Sequence, residues 1–127
     1  MATIKAAVHG FGNIGRHVVD CLANARDMEC LGVIRRASSL GTRSSDLKGC
    51  PDFASIDELA AKQGRPDVVV LCGPSRNVPS DAAMYLGKGY STVDSFDIHD
   101  RIPTVVAELQ EAAAENGVKA ITAAGWD

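Results

Sequence analysis

Glycines at positions 10, 12 and 15, in Gly10-Phe11-Gly12-Asn13-Ile14-Gly15, follow an apolar run at 4–8 and lead into a helical pattern. Their chemistry lies in what they lack. Gly10 permits a tight turn, Gly12 lets the backbone approach a ligand without a Cβ in the way, and Gly15 lets a helix pack closely on its strand. A helix starting at Asn13 aims unpaired N–H groups and about half a positive charge at that turn, which suits an anionic phosphate. Six such residues also describe an empty glycine turn. Their place between a strand and a helix is what a dinucleotide fingerprint needs, and all six are candidates for holding the pyrophosphate of a bound dinucleotide.

About 20 residues beyond the glycines, a second apolar run at 30–34 stops at Arg35 and Arg36. In a dinucleotide fold this place lies beside the adenosine ribose, where NAD-binding chains often carry a carboxylate that accepts from the 2′-hydroxyl. A carboxylate repels a 2′-phosphate of roughly −1.5 to −2 charge, whereas a guanidinium fork binds it and stacks on adenine. The pair therefore predicts NADP(H) as the cofactor, in preference to NAD. Ser38, Ser39, Thr42 and Arg43 are within reach for further phosphate contacts, although polar loop residues of this kind are more often simply solvated.

The elements that must position these groups alternate along the chain. Strands are expected at 4–8, 30–34, near Phe53, at 67–72, at 91–93 and at 118–123. The first helix, from Asn13, should turn Ile14, Val18, Leu22 and Ala25 inward. Ser55-Ile56-Asp57-Glu58 reads as a capping box opening a helix to Gln63, closed by Gly64. Pro79 or Ser80 begins a third helix that stops at Gly87 or Gly89. Pro103 begins a longer one, carrying Val106, Leu109 and Ala113 and closed by Asn116-Gly117. Alternation of this kind implies parallel pairing through right-handed crossovers. The expected fold is α/β, a Rossmann-type doubly wound parallel sheet of six strands in the order 3-2-1-4-5-6, with helices on both faces.

Ligands in such sheets sit outside the carboxyl ends of the strands. That rule picks out Cys72, Gly73, Pro74 and Ser75 after the fourth strand. It picks out Asp94, Ser95, Phe96 and Asp97, with His99 beyond them, after the fifth, and Gly125, Trp126 and Asp127 after the sixth. His99 precedes a helix with no metal-ligand partner spaced near it and reads as structural.

Bulk properties narrow the class. The 127 residues match one domain, and 46% hydrophobic with 23% charged residues is ordinary for a soluble globular chain. A net charge of −3 offers no electrostatic argument for nucleic acid or an anionic membrane. Cys21, Cys30, Cys50 and Cys72 contain no C-x-x-C pair, so neither a zinc ribbon nor a thioredoxin-type motif is present, and no metal site is expected. With no signal-peptide pattern and no apolar run near the ~20 residues of a membrane span, they read as free thiols in a cytoplasmic protein.

Five stretches together carry a resemblance: Val93-Asp-Ser-Phe-Asp-Ile-His-Asp-Arg-Ile-Pro103, the Ala124-Gly-Trp-Asp127 end, Leu71-Cys-Gly-Pro-Ser75, the glycine hexapeptide and Ile34-Arg-Arg36. They resemble the N-terminal dinucleotide-binding portion of meso-diaminopimelate dehydrogenase, over nearly the whole chain. The resemblance implies reversible NADP-dependent oxidative deamination of meso-2,6-diaminopimelate at its D-centre, giving L-2-amino-6-oxopimelate and ammonia, in lysine biosynthesis. It implies cofactor contacts at Gly10, Gly12, Asn13, Ile14, Arg35, Arg36, Cys72, Gly73, Pro74, Ser75, Asp94, Ser95, Phe96 and Asp97. It also implies substrate contacts at Asp94, Trp126 and Asp127, the two carboxylates orienting the amine and the indole walling the D-centre. Pro74 stands where the family pattern leads one to expect a second small residue.

The resemblance further implies a second domain after Asp127 that binds the rest of the substrate and forms a homodimer. Its absence from this chain predicts cofactor binding with negligible turnover, because positioning supplies ~7–11 kcal/mol of a barrier. The competing expectation is a stand-alone nucleotide-binding or sensing module without catalysis, since this fold hosts many functions.

Overall fold

Short apolar runs separated by helices generate the architecture of the computed structural model, which describes residues 3–124. Strands β1 (Ile4–His9), β2 (Met28–Ile34), β3 (Asp52–Phe53), β4 (Val68–Leu71), β5 (Ser91–Asp94) and β6 (Ala120–Ile121) are joined by helices α1 (Asn13–Asn24), α2 (Ile56–Gln63), α3 (Val78–Gly87) and α4 (Ile102–Glu115). The strands form one parallel sheet in the order β3-β2-β1-β4-β5-β6. This is the expected doubly wound order, which reverses between β1 and β4.

The two faces are covered differently. On one, α2, α3 and α4 bury Leu59, Tyr85, Leu86, Val105 and Leu109 against Ala7, Val69 and Leu71 of the sheet. On the other, Val19 and Leu22 of α1 cover Ala6, Val8 and Val33, and Leu47 and Cys50 complete the layer. Those last two belong to the β2–β3 connection, which has two short 3-10 turns (Ala37–Ser39 and Ser44–Leu47) where a helix could stand. Among the described residues no helix is long and apolar enough to cross a membrane.

Local signals worked best at the helix ends. Glu58 N–H donates to Ser55 Oγ at 3.2 Å, so Ser55 caps α2 as its sequence implied. Pro103 falls in the first turn of α4, where its missing N–H costs nothing.

Two expectations need correction. The first helix turns Gly15, Val19 and Leu22 inward, while Ile14 is 54% exposed. A Cβ on Gly15 would collide with the Gly10 carbonyl oxygen, so the glycine side of α1 is the side pressed on the turn, which rotates Ile14 outward. The last strand covers only Ala120–Ile121, not 118–123. It pairs with just Thr92 and Val93, and the backbone leaves the sheet at Ala123, whose φ is +62° and whose N–H is taken by Asp94 Oδ1.

Gly32 marks the tightest point of the larger core. A Cβ there would lie 2.7 Å from Leu59 Cδ1 and 2.8 Å from Phe53 Cε2, both buried. Gly32→Ala is therefore expected to destabilise the fold by about 1–3 kcal/mol through overpacking. Urea denaturation reads this directly, and an unchanged midpoint would show that β2 and α2 are not packed as described.

Candidate functional site

At the point where strand order reverses, β1 runs into Gly10, whose φ of +95° is a conformation that side chains resist. A Cβ on Gly10 would stand 3.1 Å from both Cys72 C and Gly73 N, so the turns after β1 and β4 touch through their backbones. Gly12 precedes α1, no side chain caps that helix, and nothing lies within 4 Å of where a Gly12 Cβ would be. The N-terminal N–H groups of α1 thus face open space, the arrangement an anion needs.

That space is part of a cleft of about 820 Å³ that extends from the glycine turn in both directions. Its size lies within the ~300–1,000 Å³ of small-molecule sites. Gly10, Phe11, Gly12, Arg35 and Arg36 line one half, Gly73 and Pro74 the other. Asn13, Ile14 and Gly15 form the first turn of α1. A smaller hollow of about 250 Å³ beside the far end of α1 contains Cys30 and Cys50 but none of these residues. All four cysteines are free thiols.

The two arginines behave differently. Arg35 is only 8% exposed. Its Nη1 donates to Thr42 O at 2.7 Å and pairs with Asp52 Oδ2 at 3.0 Å, and its Nη2 donates to Thr42 Oγ1 at 2.9 Å. Its Cζ lies 5.0 Å from the Phe11 ring centroid, and Arg43 Cζ approaches the same ring at 5.2 Å. Arg43 is also held, by Asp46 and by Phe11 O. Arg36 is exposed on the cleft wall, and its guanidinium has no partner among the described residues. The Gly41 N–H, and then Arg35, hold the Asp52 carboxyl below the usual carboxylate range.

The turns after β4 and β5 are joined to each other. Ser75 Oγ donates to Asp97 Oδ1 at 2.6 Å and accepts from Asp97 N–H at 3.3 Å. Asp94 is 2% exposed, and its Oδ1 accepts from Phe96 N–H at 2.9 Å and Ala123 N–H at 3.0 Å. This one oxygen pins the turn after β5 to the turn after β6. Its Oδ2 is buried with no partner among the described residues. Ser95 is half-buried in the same turn.

Two candidate cofactor residues point their side chains away from the cleft. Phe96 is 1% exposed and packs in the core beneath α3 and α4. Cys72 packs toward the α1 face, because alternation along β4 sends Leu71 one way and Cys72 the other, and burial pushes its thiol pKa up to about 12. Trp126 and Asp127 lie outside the described residues.

A sequence model of the homoserine dehydrogenase NAD-binding domain matches residues 10–123, which include every cleft-lining residue but His9. This chain belongs to that dinucleotide-binding family. It is 42% identical, over all 127 residues, to the meso-diaminopimelate D-dehydrogenase of Bacteroides fragilis, and covers 41% of that protein. It is 33% identical to the enzyme of the same name from Corynebacterium glutamicum, covering 38% of it. The chain thus spans about two fifths of the length of the curated relatives it matches. The solved structure of the C. glutamicum enzyme in complex with DAP superimposes with a TM-score of 0.83 at 31% identity, over 100% of this chain and 38% of that one. An engineered D-amino acid dehydrogenase bound to NADP+ does so with a TM-score of 0.81 at 32% identity, over 99% of this chain and 37% of the other. The resemblance read from the motifs is therefore shown: these relatives are dehydrogenases, and their dinucleotide-binding part is what this chain matches.

One polar group of the family cleft carries no sequence motif. His9 ends β1 directly before Gly10, with Nδ1 2.7 Å from Tyr85 Oη and Nε2 3.4 Å from Asp81 Oδ2. Burial raises the tyrosine's pKa, so its hydroxyl stays protonated and donates to Nδ1, which leaves Nε2–H to donate to Asp81. His9 and Asp81 both line the cleft. A histidine one residue before a glycine fingerprint was the only available sign, since its partners lie more than 70 residues away along the chain.

Burial holds the His9 pKa below its ordinary 6.5, against the opposing pull of Asp81. A histidine lowered on folding contributes stability that is complete above 6.5 and lost as pH falls from there through the lowered value. The wild-type urea midpoint should therefore drop between about pH 7 and pH 5, and His9→Gln should lose less across that window. Parallel pH dependences in the two proteins would contradict a buried neutral imidazole.

Proposed function

We propose that this chain binds NADP(H) and forms the cofactor half of a meso-2,6-diaminopimelate D-dehydrogenase, catalysing reversible oxidative deamination to L-2-amino-6-oxopimelate and ammonia, in lysine biosynthesis. The observation that carries the cofactor reading is the unpartnered Arg36 guanidinium on the cleft wall at the end of β2, with Ser39 and Thr42 lining the same cleft. A structural relative bound to NADP+ supports it. Gly12 and the first turn of α1 receive the pyrophosphate, and Gly73, Pro74 and Ser75 border the nicotinamide half.

The cofactor, when bound, supplies the hydride acceptor. The chain's own contribution to the substrate end is the turn after β5. There the buried Oδ2 of Asp94, which has no partner among the described residues, is an acceptor suited to an amine, with Trp126 and Asp127 the further candidates. Ser95 and Asp97 stand beside it, Asp97 fixed by Ser75. A similar solved enzyme in complex with DAP supports this substrate class.

We further propose that substrate binding and dimerisation depend on residues beyond this dinucleotide-binding unit. The relatives are far longer than the matched stretch, and substrate positioning supplies ~7–11 kcal/mol of a barrier. The 127-residue chain alone should bind cofactor with negligible turnover of meso-diaminopimelate.

Fluorescence titration with NADPH and NADH tests the cofactor assignment. NADPH should bind about tenfold or more tightly, and Arg36→Ala should remove most of that preference while changing NADH affinity little, as expected for one charge-assisted contact. Equal wild-type affinities would sink the assignment.

A further inference from the structure

Asp52 is half of a two-residue edge strand, paired with β2 through Val33. Its Oδ2 accepts two hydrogen bonds at once, from Arg35 Nη1 at 3.0 Å and from Gly41 N–H at 2.9 Å. The Arg35 guanidinium in turn reaches both Thr42 O and Thr42 Oγ1, and that hydroxyl donates to Ser39 O at 2.6 Å. One carboxylate oxygen therefore anchors the 39–42 segment from two directions, through its backbone and through the arginine it wraps.

That segment is part of the cleft wall, since Ser39 and Thr42 both line it with Arg36. Resting on the NADP reading above, we propose that Asp52 is the positioning residue for cofactor choice. It does not touch the cofactor. It spends the charge of Arg35 inside the protein and holds Ser39 and Thr42 where, with Arg36, they form a pocket for a 2′-phosphate.

Simple electrostatics makes the opposite prediction, which gives the test its sign. A carboxylate near a 2′-phosphate repels it, so a merely adjacent Asp52 would weaken NADPH binding and its removal would tighten it. As a positioning residue it does the reverse. Without it, Arg35 is a nearly buried cation with no counter-charge, drawn toward solvent, and the 39–42 segment loses both anchors. NADH has no group at the 2′ position that needs this pocket and should be spared.

The experiment is titration of wild type, Asp52→Ala and Asp52→Asn with NADPH and with NADH. Asp52→Ala should weaken NADPH by about tenfold or more with NADH changed less than about twofold, the scale of one lost charge-assisted network. Unaltered NADH binding also reports that the variant is folded. Asp52→Asn keeps an amide oxygen for both donors but not the counter-charge of Arg35, and should recover part of the loss. Tighter or unchanged NADPH binding by Asp52→Ala, an equal fall for both nucleotides, or an Asp52→Asn as weak as Asp52→Ala would each overturn the proposal. No NADPH preference in wild type would overturn the cofactor reading and this inference together. A wild-type preference that survives Asp52→Ala overturns this inference alone.

Discussion

The structure depends on a three-way backbone contact. Gly15 at the start of α1 presses on the Gly10 carbonyl, and Gly10 in turn presses on the peptide between Cys72 and Gly73. A Cβ would collide at the first contact and be crowded at the second, where the +95° φ of Gly10 also resists a side chain. This sets how deeply α1 sits on the sheet, which way the helix is rotated, and how close the β1 turn comes to the β4 turn. The cleft exists because the two turns meet there while their flanking loops diverge, at the one place where the strand order changes direction.

Charge is arranged around that cleft with an economy that counting residues does not reveal. Four arginines border it, but Arg35 and Arg43 are held by Asp52 and Asp46, and both guanidinia lie against Phe11. They build the wall. Arg36 and Arg76 have no protein partner among the described residues, and Arg36 follows the end of β2 on the cleft wall. Fixing two guanidinia while two stay unpartnered among the described residues concentrates positive potential at the cleft wall, in a chain whose net charge is −3.

The opposite end of the sheet is organised by carboxylates. Asp94 joins the turns after β5 and β6 through its Oδ1 and its backbone carbonyl, and Asp97 ties the turn after β5 to the turn after β4 through Ser75. His9 links β1 to α3 beneath them. The Gly73–Pro74 side of the cleft is thus braced from three strands, whereas the Arg36 side hangs on one edge strand and its carboxylate. A buried carboxylate with one oxygen unpartnered among the described residues is costly.

Fold and family were legible in the sequence because both rest on local signals. Glycine spacing, apolar runs bounded by turn residues, the Ser55 cap and the Pro103 helix start each act over a few residues, and their succession implied the strand order. The motif at 93–103 with the chain's end pointed to the dehydrogenases it resembles. Only the tertiary structure decided the rotation of α1, the inward turn of Phe96, the pairing of Arg35 with Asp52 and the setting of His9 between Tyr85 and Asp81. These contacts join residues 17 to 76 positions apart. They follow from the register of parallel strands and from the depth at which a helix seats on the sheet, neither of which any local pattern encodes. From the sequence alone, Arg35 and Arg36 were two equivalent charges; packing made one a strut and left the other exposed on the cleft wall without a partner among the described residues.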